Sequence, residues 1–293
     1  SPWNYAFNLT FNPMISAIAA GNTVIIKPSE HSPNMSRVIE KIVSDSFESK
    51  HVSIFQGDSS VAEHLTNMPF DHIFFTGSPE IGKHVMSAAA KNLSSVTLEL
   101  GGKSPVVIHE SADLEKAADA IVFSKFLNNG QTCIAPDYLL VQNSVSDEFL
   151  KQIKRSIKKQ FGEDDQMINN DDYGRLVTNA HYVRVNSLLN ESIKDGADVV
   201  IGGVTDEADK YISPTVIRNI KPDSAIMNNE IFGPLLPIVQ FEDINEAISL
   251  INSKPKPLAL YLFGSESAVM NNIIKSTSSG DACINQCAVH FLH

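Results

Sequence analysis

Cysteine is scarce, at three in 293 residues. Three thiols cannot staple a small secreted domain, so a disulfide framework is excluded and a reducing, cytoplasmic compartment is expected. Basic excess is lacking too: 23 Lys+Arg stand against 34 Asp+Glu, a net charge of −11. That balance argues against a nucleic-acid groove or an anionic membrane surface as the main partner, and otherwise bears only on solubility. No apolar run approaches the ~20 residues of a membrane helix. The longest, Met14–Ala20 and Leu258–Phe263, have the length of core elements, so a soluble chain with no membrane segment is expected. Internal repeats, low-complexity linkers and a basic-then-apolar signal region are absent, and the first residue is Ser1, so the chain reads as processed or as a fragment. The cysteines remain available for chemistry.

What is present is length and apolar content. The chain is 43% hydrophobic and 19% charged, enough for two domains at about 150 residues each. Runs at Thr23–Ile26, Val52–Phe55, His72–Phe75 and Val96–Glu99 alternate with helical patterns near Asn34–Phe47, Val61–Thr66 and Glu80–Lys91. This alternation predicts an α/β fold with βαβ units on a mostly parallel sheet, and ligands at the carboxyl ends of its strands. A second region starts near Gly101-Gly102. There Asp113 caps a helix whose apolar face is Leu114, Ala117, Ala118, Ile121 and Val122, and Asn128-Asn129-Gly130 ends it. Further helices are predicted near Ser146–Phe161, His181–Lys194, Asn245–Ile251 and Ala268–Ser276. Strands are predicted at Val199–Ile201, Val216–Arg218, Leu236–Phe241 and Leu258–Phe263.

Several short segments carry chemistry-bearing residues. Gly77-Ser78-Pro79-Glu80-Ile81-Gly82 follows a strand and opens a helix, where unbonded amides and the helix dipole favour a phosphate. Its G-x-x-x-x-G spacing departs from the usual dinucleotide fingerprint, and such a turn also occurs with no ligand. In Lys27-Pro28-Ser29-Glu30, the lysine and glutamate either grip ribose hydroxyls, with Glu30 repelling a further phosphate, or cap the next helix. Cys133, after Asn129-Gly130-Gln131-Thr132, is a loop thiol placed as a nucleophile would be; a buried small hydrophobe is the alternative. Glu99, between a strand and Gly101-Gly102, is either a general base whose pKa burial raises or an acceptor for loop amides. Asn4 in Pro2-Trp3-Asn4-Tyr5 could donate to an oxyanion or satisfy a turn. Glu230 and Phe232, before Gly233-Pro234, could hold a ribose and a ring or simply precede a strand.

Cys283, Cys287, His290 and His293 imitate a zinc string. On an extended chain, positions four apart lie about 13 Å from one another, too far for one tetrahedral ion, so no metal is expected. His31, His51 and His181 stand in polar contexts and read as surface.

Six segments, in order, resemble the signatures of the NAD(P)-dependent aldehyde dehydrogenases. They are Pro2–Tyr5, Lys27–Glu30, Phe75–Gly82, Leu98–Pro105, Asn129–Cys133 and Glu230–Pro234, with a 34-residue step from Glu99 to Cys133. Ile134-Ala135-Pro136-Asp137-Tyr138 is similar to the fatty and medium-chain, class 3-like branch. The resemblance implies a Rossmann-type cofactor domain over residues 1–101 and an α/β catalytic domain over residues 102–293. It implies Cys133 as nucleophile, the Asn4 amide and Cys133 N–H at the oxyanion, and Glu99 as the base for thioester hydrolysis. Lys27 and Glu30 then belong at the adenosine ribose, Gly77, Ser78 and Gly82 at the pyrophosphate, and Glu230 and Phe232 at the nicotinamide ribose and ring. Trp3 joins the cofactor-binding set, and the cofactor is NAD or NADP. The resemblance also implies a small-molecule aldehyde as substrate and a homodimer for the full-length protein.

Two departures stand out. Ala6 occupies a place where the family usually has proline, which would loosen the turn that aims Asn4. Family chains also extend beyond both ends of this one, so an internal fragment is expected. A CoA-acylating reductase and an inactive nucleotide-binding homologue are the competing readings; Glu99 argues for water over a thiol, and the joint presence of Asn4, Glu99 and Cys133 argues for an active site.

Overall fold

The computed structural model describes residues 1–163 and 166–292. The chain divides into two compact units, Ser1–Leu100 and Gly101–His293.

The first unit begins with α1 (Ala6–Ala19). From sequence only an apolar run is evident there, because Pro13 stands inside the helix and removes one amide from its ladder. Then β1 (Val24–Ile26), α2 (Pro33–Ser46), β2 (Val52–Ile54), α3 (Ser59–Thr66), β3 (His72–Gly77), α4 (Pro79–Ala90) and β4 (Ser95–Leu100) follow in the expected alternation. On α2, Ser36, Ile39 and Val43 recur at three- and four-residue steps and are buried. Ile39 and Val43 meet Phe11 and Met14 of α1 and Ile26 and Val52 of the strands in one apolar cluster. Pairing is parallel, β1 with β2 and β3 with β4. A single sheet was expected; among the described residues these are two separate two-stranded ladders. β1 and β2 are three residues each, which leaves little ladder to extend.

The second unit comprises β5 (Pro105–Ile108), α5 (Leu114–Phe126), β6 (Tyr138–Gln142), α6 (Ser146–Phe161), α7 (Asn179–Lys194), β7 (Asp198–Ile201), β8 (Thr205–Asp206), β9 (Tyr211–Ile212), β10 (Thr215–Arg218), α8 (Ala225–Asn228), β11 (Leu235–Phe241), α9 (Ile244–Asn252), β12 (Ala259–Phe263), α10 (Ser267–Ser276) and β13 (Asp281–Ile284). Seven strands form one sheet in the order β13-β12-β5-β6-β11-β10-β7. Its pairs are parallel except β10 with β7.

Alternate residues of the central strands face opposite layers. Val106, Ile108, Leu139 and Val141 pack with α5 and α6, through Ala117, Ile121, Phe149 and Ile153. Val107, Leu140 and Leu262 pack with α7, α9 and α10, through Val185, Leu189, Ile251 and Ile273. β5 is buried at all four positions. A strand covered on both faces is continuously apolar, which is why β5 and β6 show no alternation in the sequence.

Candidate active site

In the first unit the turn after β3 is built as its residues suggest. Ser78 caps α4 by accepting a hydrogen bond from the Ile81 amide at 3.4 Å, and Pro79 takes the first helical position. A side chain on Gly82 would come within 2.9 Å of Leu100 Cδ2, so that glycine lets α4 lie close on β4. The place a Gly77 side chain would take is filled by the Phe75 ring. At the end of β1, Lys27 Nζ donates to Glu30 Oε2 at 2.6 Å. Burial pushes the Glu30 carboxyl up, but the hydrogen bond and charge of Lys27 outweigh it and the net direction is down.

Trp3 and Asn4 are half-buried in the turn that leads into α1, and Ala6 is the first residue of that helix. Glu99 lies on β4 opposite Thr76 of β3, one position before the Gly77–Leu100 pair. It is exposed, so the burial expected from sequence is not there. Among the described residues β4 pairs on one side only, which leaves it an open edge.

In the second unit the chain leaves α5 through a tight left-handed passage, Asn128, Asn129 and Gly130, with φ of 50°, 58° and 73°. Asparagine and glycine tolerate this region best. The loop that follows is fastened on several sides. Asn129 Nδ2 donates to Gly174 O at 3.1 Å, and Gln131 Nε2 donates to Arg175 O at 3.1 Å while its Oε1 accepts from the Val177 amide at 2.9 Å. The Tyr261 hydroxyl donates to Ile134 O at 2.6 Å. Cys133 sits in this loop, half-buried between Thr132 and Ile134.

Glu230, Ile231 and Phe232 form the segment between α8 and β11. A Cβ on Gly130 would overlap the Gly233 carbonyl, so the Cys133 loop and this segment touch backbone to backbone. Phe232 has φ of 43°, a left-handed conformation that costs energy for a bulky residue and is common where a side chain must be aimed. The Glu230 carboxyl lies against Gly101, where a Cβ would collide with it, and accepts from the Gly102 amide. Burial, helped by Asp137, pushes its pKa up to about 7, against the opposing hydrogen bond from Gly102 and the charges of Arg184 and Lys103. These loops precede β6 and β11, which are parallel. The cluster therefore sits at the amino ends of the strands, whereas Lys27 and Gly77 in the first unit stand at carboxyl ends, as expected there.

Lys125 escaped the sequence reading although a signal was available: it falls four residues after Ile121 on the apolar face of α5. It is buried in the protein, and burial pulls its ammonium down to about 8, with Asp137 opposing and Lys103 adding. The C-terminal Cys/His string does not run extended. β13 ends at Ile284, the chain turns at Asn285 with φ of 56°, and Cys283 Sγ comes to 3.7 Å from His290 Nε2. Cys287 is buried, its thiol pushed well up by desolvation, and His293 lies outside the described residues. Among the described residues no group of three His, Cys, Asp or Glu could hold a metal ion. His181, expected at the surface, is half-buried and bonded through Nδ1 to Thr178 Oγ1 at 2.7 Å, at the start of α7. No helix among the described residues is long and apolar enough to cross a membrane.

Residues 1–291 match the aldehyde dehydrogenase family, and the chain belongs to that family. It is 44% identical over 290 residues to the 4,4'-diaponeurosporen-aldehyde dehydrogenase of Staphylococcus aureus, covering 99% of this chain and 62% of that protein. The dimeric NADP-preferring aldehyde dehydrogenase of Mus musculus is 43% identical over 288 residues, covering 98% of this chain and 62% of that protein. The substrate-bound structure of Staphylococcus aureus AldH superposes with a TM-score of 0.96 at 43% identity, over 100% of this chain and 63% of that one. The chain thus has the aldehyde dehydrogenase fold and spans about three fifths of these relatives' length.

Proposed function

We propose that the complete protein is an NAD(P)-dependent aldehyde dehydrogenase that oxidises an aldehyde to a carboxylic acid through a thioester on Cys133. The observation that carries this reading is the backbone contact between Gly130 and Gly233, which joins the Cys133 loop to the Glu230–Phe232 segment in a chain of this family. Residues 1–101 are proposed as the cofactor domain and residues 102–293 as the catalytic domain.

The residues fit a dinucleotide. Gly101-Gly102 leaves a cradle that a side chain would fill, and Glu230 is a half-buried carboxyl that lies in it. Glu230 and Phe232 would hold the nicotinamide ribose and ring, Gly77, Ser78 and Gly82 the pyrophosphate, and Lys27, Glu30 and Trp3 the adenosine end. The bound nicotinamide supplies a hydride acceptor.

The Cys133 thiolate attacks the carbonyl carbon, and the resulting oxyanion accepts from the Asn4 amide and the Cys133 N–H. Collapse of this thiohemiacetal expels hydride and leaves the acyl group on sulfur. Glu99 takes a proton from water, the hydroxide adds to the thioester, and the carboxylic acid departs as the thiol is restored. The likeness of Ile134–Tyr138 to the fatty and medium-chain branch supports such an aldehyde as substrate, and the dimeric relative supports a homodimer. The scarcity of cysteine supports a reducing, cytoplasmic setting.

The test is reduced-nicotinamide formation by the complete protein with NAD and octanal, with Cys133→Ala as the blank. Turnover absent from the blank is expected; equal rates in both would overturn the assignment.

A further inference from the structure

Glu230 is followed and preceded by main chain that the protein grips from three side chains outside the segment. The Lys103 ammonium lies on Asp137 Oδ1 and also donates to Ile226 O at 2.8 Å and Asn229 O at 3.0 Å, so all three of its protons are used. Asp137 Oδ2 accepts from the Ile231 amide at 2.9 Å, and the Asp137 amide donates to Ser104 O at 2.8 Å. Arg184, on α7, donates through Nη1 to Glu230 O at 3.1 Å and through Nη2 to Ile231 O at 2.7 Å. The Lys103 and Asp137 side chains are 5% and 4% exposed, so the pair works in a low-dielectric interior where its hydrogen bonds are strong and directional.

An ion pair buried this fully is weak evidence for stability, because desolvation offsets its attraction. Its geometry is better explained by what it holds. The carbonyl before Glu230, the carbonyl of Glu230 and both polar groups of Ile231 are each bonded to one of these side chains. The segment has little regular structure of its own: α8 is four residues long and β11 starts only at Leu235. Lys103 stands two residues before β5 and Asp137 one before β6, and the Pro105–Tyr138 register of these strands brings the two side chains together. The network therefore ties the Glu230 segment to the rigid amino ends of the central strands.

We propose that Lys103, Asp137 and Arg184 are positioning residues that hold the main chain around Glu230 and so set the affinity for the dinucleotide. This rests on the reading of Glu230 and Phe232 as cofactor-binding residues. A loosened segment would leave Glu230 to sample many orientations, and binding would have to supply the ordering that the network supplies in advance. The acyl-transfer step on Cys133 does not pass through this network.

The experiment measures NAD binding to the complete protein by calorimetry, with aldehyde turnover measured separately. Lys103→Met alone strands a buried carboxylate and serves poorly, so the pair is replaced together as Lys103→Met/Asp137→Leu, and Arg184→Ala provides an independent, more exposed variant. Each is expected to raise the Kd for NAD about tenfold, equivalent to ~1.4 kcal/mol, with binding stoichiometry near that of the wild type. Arg184→Lys, able to reach one carbonyl, is expected to recover part of the loss. A purely structural role would lower stoichiometry and melting midpoint and leave Kd unchanged, and that result overturns the inference. Wild type that binds NAD without oxidising aldehyde overturns the reaction reading but leaves the Kd comparison valid; wild type that binds no NAD overturns both.

Discussion

Gly130 and Gly233 meet backbone to backbone, with no room for a methyl group on Gly130 against the Gly233 carbonyl. Gly130 belongs to the loop of Cys133 and Gly233 to the segment of Glu230 and Phe232, so one contact sets the spacing between the proposed nucleophile and the proposed nicotinamide-binding residues. Gly130→Ala faces both this overlap and a φ of 73°. The left-handed backbone alone costs about 1–2 kcal/mol for an L-residue. The urea midpoint is expected to fall and kcat to drop with it; an unchanged midpoint would show that the contact relaxes freely.

Glu230 makes stability depend on pH. Its folded pKa is about 7, above the ordinary 4.5, so the native state holds the proton more tightly than the unfolded chain. Its contribution is fully present below about 4.5 and is lost as pH rises through about 7. Glu230→Gln removes this dependence. Compared with the variant, the wild type should lose melting midpoint between those limits; parallel curves would show that the carboxyl is not desolvated.

Lys125 carries the opposite sign. Its folded pKa of about 8 lies below the ordinary 10.5, so the unfolded chain binds the proton more tightly over that interval and stability rises with pH across it. Lys125→Met should therefore raise the melting midpoint at pH 7, and the gain should shrink towards pH 10. A loss at pH 7 would mean that the ammonium's surroundings outweigh its desolvation.

Glu30 is held on Lys27 at 2.6 Å. If the pair faces the adenosine ribose, Glu30→Gln removes a like-charge repulsion to a 2′-phosphate and frees the lysine. The ratio of kcat/KM for NADP to that for NAD is expected to rise on the order of tenfold. A ratio that stays constant would remove Glu30 from the cofactor site.

Much of the fold was readable from the chain because its helices are amphipathic: Ala117, Ala118, Ile121 and Val122 mark the buried face of α5, and Asp113 caps it through the Lys116 amide as its position implies. β5 and β6 were not readable, since strands buried on both faces lose the two-residue period, and α1 was obscured by Pro13. The candidate site divides in the same way. Cys133 and Glu230 stand in recognisable local segments, but the contact between those segments, Gly130 against Gly233, depends on the parallel pairing of β6 with β11. The Lys103–Asp137 pair likewise depends on strand register, which no local window contains.

On the proposed function Cys133 carries the acyl group and Glu99 activates the water that removes it. The complete Glu99→Gln protein, mixed with octanal and NAD and quenched in acid, should form one burst of reduced cofactor and then stall, with the octanoyl mass on the peptide that contains Cys133. No adduct, or an adduct on Cys283 or Cys287 instead, would remove Cys133 from the nucleophile's role.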